Sequence, residues 1–116
     1  MNATSISTQE RSNLERDALR LLCSVLIKPE TRQEFCNSLV PDVFLDPLRR
    51  VVFEEIYSLG AISSKQLREL LPARVTNRGF PDFDLDELLE PKAVNEAELE
   101  KLFEGVLRLL ELSETH

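Results

Sequence analysis

Apolar positions recur at three- and four-residue spacing along most of the chain, and they are densest between Pro41 and Gly60. There Leu48, Val51, Val52, Ile56 and Leu59 share one face of a helix. Phe53 and Tyr57 widen that face into a broad arc with Arg49 inside it, the mark of a helix that packs on several sides. Asp46 suits the N-cap, where its carboxylate can accept from amides that the first turn leaves unpaired. Pro47 suits the first helical position, where a missing N–H costs nothing. Gly60 suits the stop, because it takes positive φ without a Cβ clash.

The same punctuation recurs elsewhere. Ser12 with Glu15, Thr31 with Glu34, Ser63 with Gln66, Asp84 with Glu87 and Asn95 with Glu98 each place a capping residue three before a Glu or Gln. With Asp46–Pro47 they mark six helix starts, each ahead of an apolar stripe. The pattern predicts a first helix over 13–28, ended by Pro29, with Leu14, Ala18, Leu21, Leu22, Val25 and Leu26 inward. A short helix over 32–39 offers Phe35, Cys36 and Leu39, and the central helix follows. A fourth over 64–71, with Leu67, Leu70 and Leu71 inward, stops at Pro72 and leaves a loop over 73–83. Leu85, Leu88 and Leu89 lie on a short fifth helix before Pro91, and a last helix over 96–112 turns Leu99, Leu102, Phe103, Val106, Leu107 and Leu110 inward. No alternation argues for a strand. The expectation is an all-α fold, a single compact bundle of about six helices over 13–116, behind a flexible lead-in over 1–12.

Composition narrows the class. At 116 residues, 42% hydrophobic and 30% charged, the chain fits one globular domain with a real core. No apolar run approaches the roughly 20 residues of a membrane span, and the first residues do not read as a secretory signal. Cys23 and Cys36 lie inside apolar patterns and read as reduced, buried thiols, so a cytoplasmic location is expected.

Catalytic chemistry is sparse. The one histidine is His116, the cysteines stand thirteen apart, and Gly60, Gly79 and Gly105 are isolated, so neither a zinc site nor a phosphate loop is predicted. Asp82, Asp84 and Asp86 resemble the start of a calcium loop, but Leu85 and Leu88 fall where such a loop needs polar residues and glycine. The expectation is a protein that is not an enzyme and needs no cofactor.

Charge is unevenly spread. Residues 81–116 hold eleven acidic and three basic side chains, against a chain total of −7. Lys65, Arg68, Arg74 and Arg78 make a basic stretch beside the fourth helix, which admits a helix-turn-helix reading with 61–71 as its first helix. Gly79 and Pro81 interrupt the place of the reading helix, and an acidic domain repels phosphates. A basic edge beside an acidic face suits a protein partner better.

The chain contains ERDALRLLCSVLIKPETRQEF and then an F-x-D-P-x-x-R-x-x-F signature, here Phe44, Asp46, Pro47, Arg50 and Phe53. On these the segment over 15–59 resembles a helical module of two bacterial replication families, the helicase-binding C-terminal domain of the primase DnaG and the N-terminal domain of the replicative helicase DnaB. Gly60–Ser63 is shorter than the corresponding helicase loop, and the acidic last helix looks closer to the primase version, although the long terminal hairpin of the primase family is not in the sequence. The resemblance implies a non-catalytic adaptor, excised or stand-alone, with a replicative helicase or primase as partner in DNA replication. The signature residues are expected to be mostly structural, with Arg50 and Glu54 paired on the solvent side. Leu109, at the margin of the last stripe, and Leu112, off it, are candidate partner contacts, as are Phe80 and Phe83, which are expected first to tuck onto the core. The alternatives are a small DNA-binding regulator and a helical scaffold that self-associates, for instance as a homodimer.

Overall fold

The computed structural model describes residues 7–24, 26–85 and 96–114, and among them every regular element is helical. Among the described residues five α-helices are defined: α1 (Thr8–Leu22), α2 (Pro29–Ser38), α3 (Pro47–Leu59), α4 (Ser64–Asn77) and α5 (Glu96–Glu114). A 3-10 turn, Pro41–Val43, leads into α3. The all-α bundle expected from the periodicity is therefore present. The short helix proposed to end at Pro91, including Leu88 and Leu89, lies outside the described residues, as does Val25.

The capping signals of α3 and α4 act as expected. Asp46 accepts from the Arg49 amide, and Ser63 accepts from the Gln66 amide. Pro47 opens α3 and Gly60 closes it. Gly60 adopts φ 73° and ψ −154°, a region beyond ordinary left-handed helix that is essentially reserved for glycine.

Four boundaries differ. The first helix is capped by Ser7 rather than Ser12, so residues 8–12 are helical and not a lead-in. It ends at Leu22, and Leu26 is 45% exposed instead of inward. Pro29 starts α2 rather than merely ending the helix before it, and Lys28 occupies the cap in place of Thr31. Helix α4 runs through Pro72 to Asn77. Pro72 removes one intrahelical donor, but Val75 is fully buried beyond it, and a Schellman end closes the helix. In that end the Gly79 amide donates to the Thr76 carbonyl (3.0 Å) and the Phe80 amide to the Val75 carbonyl (3.4 Å), with Gly79 at φ 103°.

Helix α3 lies at the middle of the molecule, against α1, α2, α4 and the 3-10 turn. Val52, Phe53 and Ile56 are buried, whereas Tyr57 is 41% exposed and meets Phe53 only edge-on. Helix α5 packs chiefly on α1, and Phe103 stacks at a tilt on Phe35 of α2 with ring centroids 5.1 Å apart. The inward stripe of α5 is rotated from the expected one. Leu102, Val106, Leu109 and Leu112 are buried, Phe103 and Leu110 are partly covered, and Leu107 is 56% exposed. Gly105 explains the rotation: it lies on the contact face, beside Leu14 and Asp17 of α1, yet contributes nothing to a hydrophobic pattern.

Two glycine substitutions should move stability in opposite directions. A Cβ at Gly105 would sit 3.7 Å from Leu14 Cδ2, ordinary contact distance. Gly105→Ala is expected to stabilise the fold by about 0.5–1 kcal/mol through helix propensity. Gly60→Ala meets no neighbour but forces alanine into a forbidden backbone region, at a cost of about 1–3 kcal/mol. Urea unfolding followed by circular dichroism reads both.

Candidate functional site

The signature residues converge on the turn before α3, and a buried carboxylate organises them. Glu15, on the inner face of α1 with 2% of its surface exposed, accepts from the backbone amides of Leu45 (3.0 Å) and Asp46 (3.4 Å). Arg11 and Arg49 flank it at 3.6 and 3.9 Å. The same arginines hold the surrounding backbone. Arg11 donates to the Val43 carbonyl (2.6 Å), and Arg49 donates to the carbonyl (2.6 Å) and hydroxyl (2.8 Å) of Ser12. Buried charge persists only when paired and hydrogen-bonded, and here each partner also satisfies a backbone group.

The signature completes the frame. Phe44 and Phe53 are fully buried and stack at 5.0 Å, so the turn is clamped onto α3 from the apolar side. Arg50 Nε donates to the Phe44 carbonyl (3.1 Å). This corrects the expected pair with Glu54, whose carboxylate instead receives Arg78. Asp46 and Pro47 start the helix as capping logic requires. The outcome is a rigid turn whose outward residues, Val40 and Leu45, stay 51% and 61% exposed.

The four candidate contacts divide. Leu109 and Leu112 are buried in the core, Leu109 completely, which corrects their placement at the margin of the stripe and off it. Phe80 and Phe83 are partly buried against the core, tucked as expected. The structure does not bring the four together as an exposed patch. Leu45 and Leu107 are far more accessible, and sequence periodicity alone gave no signal for Leu45, which belongs to a turn.

The basic stretch is largely committed within the molecule. Arg68 Nε donates to the Cys23 carbonyl (3.0 Å). Arg74 reaches Glu55 (2.7 Å) and Ser58 (2.7 Å), while Arg78 spans Glu55 (2.8 Å) and Glu54 (2.8 Å). The segment that a helix-turn-helix would assign to its turn is a continuation of α4. Burial works against the Glu55 carboxylate, but hydrogen bonds from Arg74 and Arg78, with their charges, outweigh it and hold its pKa below the ordinary value.

A buried cation sits on α2. Arg32, 1% exposed, donates to the Ile62 carbonyl and to Ser64 Oγ (3.4 Å), and Ser64 Oγ donates to the Ser24 carbonyl (3.0 Å). It ties α2 to the α3–α4 connection. The Cys23 and Cys36 thiols are free and buried, and burial pushes them up to about 12 and about 11, so neither is a ready nucleophile at neutral pH. Among the described residues no group of three or more His, Cys, Asp or Glu could hold a metal ion. Asp86 lies outside them.

Two outcomes are expected. Glu15→Ala strips the Leu45 and Asp46 amides of their acceptor and should cost about 3 kcal/mol in urea unfolding. Glu55 has a depressed folded pKa, so its contribution is complete above the unfolded value of 4.5 and fades as pH falls below it, through the lower folded value. Glu55→Gln should therefore flatten the fall of Tm on acidification below that point. An unchanged acid slope would show that the pair does not couple to folding.

No protein-family model matches the chain, and neither a curated protein nor a solved structure matches it.

Proposed function

We propose that this chain is a non-catalytic protein-interaction domain of the helicase–primase type, an adaptor whose partner is a replicative helicase or primase in the cytoplasm. The observation that carries this reading is the turn before α3. Of its signature residues Asp46 and Arg50 bond backbone and Phe44 and Phe53 are buried, and the turn holds out to solvent a pair of large apolar side chains, Val40 and Leu45. An apolar residue fixed on a rigid frame enters an interface with little ordering cost, which is how anchor residues act. Helix α5 adds an acidic outer stripe, Glu100, Glu104 and Glu111 around exposed Leu107, that would steer a basic partner surface. Among the described residues no helix is long and apolar enough to cross a membrane.

Gel filtration with light scattering, on the chain alone and with the replicative helicase of the same organism, tests the reading. The expected result is a complex peak that fades at high salt and disappears with Leu45→Asp, a change that leaves folding stability within about 0.5 kcal/mol of the parent because the site is exposed. An unchanged monomer peak in the mixture would sink the adaptor reading. A mass that rises with concentration in the chain alone would favour self-association.

A further inference from the structure

Helix α4 is held in two different ways on either side of Pro72. Before it, Leu67 and Leu71 are fully buried, Arg68 bonds the Cys23 carbonyl, and Ser64 links Arg32 to Ser24. That half is anchored to the region joining α1 and α2 by apolar burial and by bonds to backbone. Beyond Pro72, Val75 alone is buried. Ala73, Thr76, Asn77 and Arg78 are exposed, and Pro72 and Arg74 are half-covered. The fixings of this half are the contacts of Arg74 and Arg78 with Glu54, Glu55 and Ser58 of α3, all at 2.7–2.8 Å. Both arginine side chains keep 42% of their surface exposed, so solvent ions reach the pairs.

The ends of this half are also suited to bending. Pro72 has no N–H to give to the preceding turn, which is where helices kink. Gly79, at φ 103°, has open space around a would-be Cβ and is followed by a segment that folds back through Phe80 and Phe83. We propose that residues 73–78 form an electrostatic latch on α3 that opens locally, without unfolding of the bundle, when acid or ionic strength weakens its ion pairs. Regions with few buried apolar contacts and solvent-exposed bonds are those that open independently of the global transition. Among the described residues, the charged groups acting on Glu55 are Arg74 and Arg78 of α4, with Glu54 sharing Arg78, so the latch depends on a small set of charges. Opening would free both carboxylates of α3 and uncover Val75. The proposal does not depend on the identity of any partner.

Amide hydrogen exchange by NMR on the full chain, at one fixed pH, tests it. Raising KCl from about 0.05 to about 1 M, where the screening length shrinks to a few ångströms, should speed exchange at Val75–Gly79 about tenfold relative to Ala18–Leu22 of α1. Glu55→Gln at low salt should produce the same relative gain. If the two sets of amides change by a common factor under salt, opening is global and the latch does not exist. The salt comparison uses the unaltered protein, so the answer stands even where the variant folds poorly.

Discussion

A single carboxylate decides whether the turn before α3 can exist in this form. The chain must cross from α2 into the central helix through backbone that belongs to no regular element, and two of its amides, Leu45 and Asp46, would otherwise lack a fixed acceptor. Glu15 reaches across from α1 to take both, while Arg11 and Arg49 balance its charge and bind backbone on either side. The arrangement is cooperative. The turn positions the Asp46 cap and the Phe44 ring, the cap starts α3, and α3 supplies Phe53 and Arg50 to hold the turn. Losing Glu15 leaves the Leu45 and Asp46 amides without their acceptor, and losing Arg11 or Arg49 leaves the buried Glu15 carboxylate less well paired, the situation in which a network costs more than an apolar substitute.

This has a bearing on where function can reside. The signature residues are largely internal scaffolding, and the surface left for recognition is what that scaffold displays. Charge follows the same division. Arg74 and Arg78 are paired with carboxylates of α3 and Arg68 is held by a backbone carbonyl, so much of the basic stretch is engaged within the molecule, whereas the outer stripe of α5 keeps its carboxylates in solvent.

How much of this could be read in advance varied with the physics. Local signals held. Asp46, Ser63 and Gly60 act through their own side chain or backbone within one turn, so a short window suffices to find them. Signals that serve two purposes misled. Ser12 and Glu15 match a capping box, but Glu15 is needed thirty residues away and Ser12 serves Arg49, facts that only the tertiary fold supplies. Pro29 and Pro72 were both expected to end helices. One instead opens a helix and the other is tolerated inside one, because the ion pairs and Val75 beyond it outweigh one missing bond. The face of α5 is hard to read because Gly105 lies on the contact face yet carries no hydrophobic weight, so the periodicity does not centre the stripe on Leu102, Val106, Leu109 and Leu112. Leu45 could not have been identified at all, since exposure in a turn leaves no periodic trace.

The packing of α5 on α1 sets a condition on biosynthesis. These helices are neighbours in space but far apart along the described chain, so the inner face of α1, with Leu14, Ala18 and Leu21, lacks the cover of α5 while the intervening residues are being made. A nascent chain emerging N-terminus first therefore keeps part of that apolar surface open until α5 has been made. A chaperone that shields α1 during that interval would have more influence on yield than on the stability of the folded bundle.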